Sequence, residues 1–137
     1  MSAREIVRAQ LRIDEAVRAK PYRDTVGKLT IGVGRNLDDV GLHPDEIALM
    51  LDNDIGEAEQ GCGTLFSSYE MLSDNRKAVL LNMAFNLGRE RLGHFLKFRA
   101  AVDRGDFETA AKEMLDSTWA TQVGIRAQRL AKQMREG

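Results

Sequence analysis

One stretch of this chain breaks a pattern that is otherwise helical from end to end, and it limits the folds open to the molecule. From Glu15 to Arg35 the sequence reads EAVRAKPYRDTVGKLTIGVGR. Pro21 cannot continue a helix and pushes Lys20 toward extended geometry. Tyr22-Arg23-Asp24 and Leu29 to Val33 then form two short β-prone runs around Thr25-Val26-Gly27, where the glycine can supply a turn conformation. A single ribbon set in a helical chain predicts an α+β fold, mainly α.

The ribbon has a definite sidedness. If the hairpin centres on Gly27, Asp24 faces Thr30 and Tyr22 faces Gly32, with Asp24 and Thr30 on one side of the sheet. Gly32 and Gly34 continue that side without a Cβ, which predicts a clear floor where a bulky ligand can approach the backbone. Ile31 and Val33 point the other way, toward a core. Eight residues separate Glu15 from Asp24 and five separate Asp24 from Thr30, so these three polar side chains come from different elements.

The flanking segments read as helices. Ser2 followed by Glu5 is a capping-box signature, and Ile6, Ala9, Ile13 and Val17 recur at helical spacing, which predicts a helix from about residue 3 to about 15 or 19. At 100° per residue Glu15 lies about 200° round from Ile13, away from the apolar stripe. Pro44 belongs in a first turn, Asp45 and Glu46 suit a helix N-terminus, and Ile47, Leu51 and Ile55 form a stripe. His43, just before Pro44, reads as part of that cap. Gly61, Cys62 and Gly63 suggest a looser stretch. Ser73 can cap a helix through Val79, Leu80, Met83, Ala84 and Leu87 that stops at Gly88. Phe95 to about Arg104 follows, Asp106 caps a short helix, Trp119 anchors the core, and a basic amphipathic helix begins near residue 123. Six methionines fit a plastic helical core.

Composition narrows the possible partners. At 137 residues the chain has the size of one domain and can bury roughly two-thirds of its unfolded surface. Cys62 is alone, so no internal disulfide forms, and one cysteine with two histidines cannot build a structural zinc site. No metal or cofactor is expected. Arg4, Glu5 and Arg8 stand where a signal peptide would need an apolar core, and no run reaches membrane-spanning length, so synthesis in the cytoplasm without membrane insertion is expected. Charge is uneven: residues 1–37 carry +4, residues 38–60 carry −8 with no Lys or Arg, and Arg126, Arg129, Lys132 and Arg135 against Glu136 leave +3. Most of these charges read as solvated helix faces, while the two basic ends would favour an anionic polymer.

A carboxyl at a helix end and a second on an adjoining ribbon can act as general acid and water-activating base when their environments separate their pKa values. Inverting glycosidases use such a pair held roughly 6.5 to 9.5 Å apart, and a threonine hydroxyl can help to hold the water. By spacing alone, a Glu and an Asp nine positions apart in a chain that is 30% charged are most often surface residues.

The segment LRIDEAVRAKPYRDTVGKLTIGVGR closely resembles the active-site region of the phage-type lysozymes, the glycoside hydrolases of the bacteriophage T4 lysozyme family. Their motif, E-x8-D-x5-T followed by I-G-x-G, matches Glu15, Asp24, Thr30 and Gly32 to Gly34 without a gap. Asn82-Met83-Ala84-Phe85, Gly88, Phe95, Ala110-Ala111, Trp119, Gln122 and Arg126-Ala127 resemble the family's C-terminal helical lobe, so the likeness covers nearly the whole chain. Arg35 stands where the family's best-known member has a histidine, which makes the charge there permanent. The loop after Asn36 is also shorter.

The resemblance implies one lysozyme-like domain over 1–137, with about 15–60 as the small lobe and 1–14 with about 61–137 as the helical lobe. It implies a peptidoglycan hydrolase, a muramidase cleaving the β-1,4 bond between N-acetylmuramic acid and N-acetylglucosamine with inversion. Glu15 would be the general acid, with Asp24 and Thr30 holding and activating the water. Gly34, Arg35, Asn36, Phe85 and Asn86 would be substrate-binding, although for Phe85 a core position is an equal alternative. The expected protein is a monomeric phage or prophage endolysin that reaches the cell wall after a holin opens the membrane. A catalytically weak peptidoglycan-binding phage protein and a lytic transglycosylase are the alternatives. The complete Glu15, Asp24 and Thr30 set argues against both, and the ribbon and acidic helix argue against a DNA-binding regulator.

Overall fold

The structure, a computed structural model, describes all residues from 1 to 137. Helix α1 spans Ala3–Asp14, capped as expected by Ser2, whose hydroxyl accepts the Glu5 N–H at 3.2 Å. It ends at the short limit of the expected range, with Glu15 as its C-cap. The reason lies in the next residue. Ala16 takes φ 62°, a left-handed conformation that reverses the chain direction and that a helix cannot contain.

Strands β1 (Arg18–Arg23), β2 (Leu29–Gly32) and β3 (Arg35–Asn36) form an antiparallel sheet in that order, with β2 central. The register differs from the one expected. Tyr22 pairs with Thr30 and Arg23 with Leu29, while Arg18 pairs with Gly32 across an irregularity between Arg18 and Tyr22. Pro21 lies inside that irregularity, where its missing N–H interrupts the ladder. The hairpin therefore centres on Val26, with the Asp24 N–H donating to Lys28 O at 2.9 Å and the Gly27 N–H to Asp24 O at 3.0 Å. The centre moves by one residue and each cross-strand partner by two, and Asp24 falls just outside β1, at the start of the turn. Val33, expected to face a core, is 38% exposed.

Helix α2 (Pro44–Leu65) starts at the predicted proline but runs through Gly61, Cys62 and Gly63, where a looser stretch was expected. Gly61 is buried under the Arg89 side chain, whose Cγ would lie 3.5 Å from an added Cβ, and Cys62 is fully buried. Burial of Gly61 and Cys62 on one side of α2 offsets the weak helix propensity of this stretch, while Gly63 stands exposed. A 3-10 turn, Tyr69–Met71, precedes α3 (Asp74–Leu87), which starts at the Ser73 cap and ends at Gly88 with φ 81°. Then come α4 (Arg89–Gly93), which the sequence pattern did not reveal, α5 (Leu96–Asp103), α6 (Phe107–Leu115), α7 (Thr118–Val123) and α8 (Ile125–Glu136). Asp106 caps α6 by accepting the Thr109 N–H at 3.1 Å. None of these helices is long and apolar enough to cross a membrane.

The chain divides into two compact units, Met1–Leu49 and Met50–Gly137. The second holds the apolar core. Phe66 meets Phe98 edge to face at 5.9 Å, and Leu80, Met83, Leu92 and Met114 are fully buried, each contributing about 1.5–3 kcal/mol. Of the six methionines only Met83, Met114 and Met134 are in the core, while Met1, Met50 and Met71 are exposed. Two arginines tie helix ends together. Arg99 donates to Leu65 O and Gly93 O, and Arg76 to Met134 O and Arg135 O, so cations meet the negative ends of α2, α4 and α8. In the first unit the buried side chain is Thr30, 4% exposed, on the central strand.

Candidate active site

The first unit gathers most of the polar residues that the sequence pattern singles out. Glu15 stands at the C-terminal end of α1, immediately before the left-handed Ala16. Its side chain lies along the backbone of Gly34. A β-carbon built on Gly34 would be 3.0 Å from Glu15 Oε2 and 3.1 Å from Cδ and Cγ. The floor expected at Gly34 is therefore already lined by the acid, whereas Gly32 has open space where its Cβ would be. Gly34 also has φ 69°, so both its conformation and its neighbour require glycine.

Asp24 and Thr30 fasten to the same residue. Asp24 Oδ1 accepts the Lys28 N–H at 2.8 Å and the Val26 N–H at 3.0 Å, an Asx-type turn that fixes the carboxylate plane. The Thr30 hydroxyl donates to Lys28 O at 2.9 Å. Because its proton is committed to that carbonyl, Thr30 Oγ1 presents only lone pairs elsewhere and can accept a hydrogen bond from a water. Asp24 and Thr30 are thus both fastened to Lys28, one through its N–H and the other through its carbonyl.

The remaining ribbon residues bond to the loop and helix that follow them. The Asn36 side chain accepts the Asp39 N–H and donates to Asp39 Oδ2, both at 2.9 Å, closing the loop after β3. Arg35 donates from Nη1 and Nη2 to the two carboxylate oxygens of Glu46 at 2.7 and 2.8 Å, and from Nη1 to Gly41 O at 3.2 Å. That hydrogen-bonded guanidinium, helped by the His43 N–H at 2.7 Å, holds the Glu46 carboxyl down at about 2, and Glu46 in turn raises the pKa of Arg35. The sequence pattern did not identify Glu46 as this partner. Its place three residues after His43 at the start of α2 is a capping spacing, and that was the only signal available.

The second unit carries the other residues. Phe85 on α3 is 51% exposed, so it is not the core aromatic that was the equal alternative. Asn86 Oδ1 accepts the Trp119 indole N–H at 2.9 Å, and Trp119 is the core anchor expected, 2% exposed. On the same helix Asn82 Oδ1 accepts two bonds from Arg126 at 3.0 and 2.6 Å. No group of three His, Cys, Asp or Glu side chains is arranged to hold a metal ion.

A helix-terminal glutamate seated on a glycine of a three-stranded ribbon, with an aspartate and threonine anchored on its hairpin, followed by a bundle of helices, defines a lysozyme-like protein of mainly α architecture. Residues 12–136 match the family described as Phage lysozyme, and the chain belongs to that family. It is 28% identical to Probable T4-type lysozyme 2 of Dictyostelium discoideum over 88% of each chain, and 25% identical to Probable T4-type lysozyme 1 of the same organism over 96% of this chain and 94% of the other. It is also 26% identical to the Pre-baseplate central spike protein Gp5 of Enterobacteria phage T4, over 88% of this chain and 26% of that protein. Membership supports a glycoside hydrolase of the muramidase type with peptidoglycan as its substrate.

Proposed function

We propose that this chain cleaves the β-1,4 bond between N-acetylmuramic acid and N-acetylglucosamine with inversion, using Glu15 as general acid and Asp24 with Thr30 as the water-activating pair. The observation that carries this reading is the attachment of Asp24 and Thr30 to the N–H and C=O of one residue, Lys28. A water donating one hydrogen to Thr30 Oγ1 and the other to the Asp24 carboxylate directs a lone pair outward, toward an anomeric carbon. As that lone pair forms the new C–O bond, Asp24 takes the water proton and the glycosidic C–O bond breaks. Glu15 donates its proton to the departing oxygen. Phe85 offers an exposed apolar ring for a sugar face, and Gly34, Asn36 and Asn86 are further proposed contacts.

In this reading the protein is a monomeric phage or prophage endolysin, made in the cytoplasm of the bacterial host and admitted to the wall by a holin. The test is digestion of purified peptidoglycan by the wild type and Glu15→Gln, with mass spectrometry of the released muropeptides and NMR of the first anomer formed. Reducing-end products of inverted configuration that disappear in the variant are expected. Anhydro products would assign a lytic transglycosylase, and binding without release would assign a wall-binding protein.

A further inference from the structure

Glu15 is exposed and projects from the C-cap of a helix, so its side-chain orientation depends on what lies beside it. That neighbour is the Gly34 backbone. Gly34 leads into β3, a strand of two residues paired to β2 through Thr30 with Asn36 and Ile31 with Arg35. So short an edge strand has little ladder of its own to fix it. What adds to it is the Arg35 side chain, which reaches across to the first turn of α2 and grips Glu46 with both prongs while holding Gly41 O. Glu46 is itself fixed by the His43 N–H. A continuous line of short contacts thus runs from the start of α2 through Glu46 and Arg35 to Gly34 and Glu15.

We infer that the Arg35–Glu46 pair is a positioning device for the acid: it sets where the Gly34 backbone stands and so the orientation of the Glu15 carboxyl, acting on the reaction without touching the substrate. Arg35 is then a positioning residue. A planar, two-pronged cation is required because two parallel bonds fix an angle as well as a distance, which a lysine ammonium cannot do. The inference rests on Glu15 being the acid of the proposed reaction.

The test compares Arg35→Ala, Arg35→Lys and Arg35→His with the wild type on soluble peptidoglycan oligomers, at a temperature where circular dichroism shows each to be folded. Arg35→Ala lowers kcat roughly 10- to 100-fold with KM within about twofold, and Arg35→Lys recovers part of the loss. Arg35→His, facing Asp45, Glu46 and His43 at the start of α2, recovers only part of the wild-type kcat while its imidazole is charged, because its two N–H groups diverge and cannot hold both Glu46 oxygens. It then loses that share as the charge titrates away, a larger fall than the wild type shows with His43 alone beside Glu46. A loss confined to KM, or a pH profile of Arg35→His parallel to the wild type, overturns the inference. Side-chain scalar couplings of Glu15 supply a readout that needs no turnover: one rotamer in the wild type and averaging in Arg35→Ala are expected. If the wild type cleaves nothing, the proposed reaction fails while the couplings still decide the positioning role, and unchanged couplings overturn it.

Discussion

The carboxyl of Glu15 lies so close to the backbone of Gly34 that a β-carbon on the glycine would stand 3.0 Å from Oε2. Gly34→Ala must therefore displace the acid, and it also places a side chain at φ 69°, which costs about 1–2 kcal/mol. Activity on peptidoglycan should fall roughly 10-fold while the protein stays folded. Gly32→Ala is the control, since it carries the same backbone strain at φ 70° with open space around it. Equal losses of activity in the two variants would show that the contact with Glu15 has no catalytic consequence.

Ala16 is the one residue other than glycine with a positive φ. Ala16→Gly relieves a left-handed cost of about 1–2 kcal/mol and gives back about 0.5–1 kcal/mol through the freer unfolded chain, for a net gain near ~0.5 kcal/mol. Ala16→Val should destabilise by at least about 1 kcal/mol because a β-branched residue fits that conformation worst. Urea midpoints at constant m measure both. A gain for valine would contradict the strain assigned to this turn.

Asp24→Asn retains an oxygen able to accept the Val26 and Lys28 N–H groups, so the hairpin survives. It removes the base, and kcat should drop roughly 10²- to 10⁴-fold with an unchanged thermal midpoint. Normal turnover in the folded variant would end the role proposed for Asp24.

Glu46 supplies an acid-stability limb. Its pKa in the folded protein is lowered from 4.5 to about 2 by the Arg35 hydrogen bonds and then by the His43 N–H. A lowered folded pKa means that the unfolded chain binds the proton first, so the stabilisation is present above the unfolded pKa and is lost as pH falls from about 4.5 through about 2. Thermal melts of Glu46→Gln should show a shallower decline over that window than the wild type, and coincident declines would show that the pair carries no linkage.

Burial alone raises the Cys62 thiol to about 11, and the side chain is fully enclosed. Ellman's reagent at pH 8 should therefore label the native protein far more slowly than the urea-unfolded chain. Fast labelling of the native state would show that α2 opens around residue 62.

Local rules made much of the fold legible. Ser2, Ser73 and Asp106 act as the caps that their positions predicted, and Pro44 and Gly88 bound the helices they were expected to bound. A cap needs only the next three or four residues, so the chain encodes it over a span that reading along the sequence can cover. The same holds for the turn of the hairpin, where Gly27 takes a positive φ of 85° as its position suggested.

Features that join residues far apart belonged to tertiary structure. Gly61 and Gly63 read as helix breakers, yet α2 passes through them, with Gly61 and Cys62 buried beside Arg89 from a helix that the periodicity did not reveal and Gly63 exposed. Pro21 predicted a break but not the irregularity that resets Tyr22 against Thr30. The pairing of Arg35 with Glu46, eleven positions on, follows from where a loop returns the chain, and many acidic residues between 38 and 60 were equally eligible by charge. The sequence by itself determined the helix caps at Ser2, Ser73 and Asp106, the bounds at Pro44 and Gly88 and the place of the ribbon, because residue type and local spacing carry that information. Only the tertiary structure decided that Glu15 rests on Gly34 and that Arg35 turns to Glu46, because such contacts depend on chain reversals whose geometry no short-range pattern specifies.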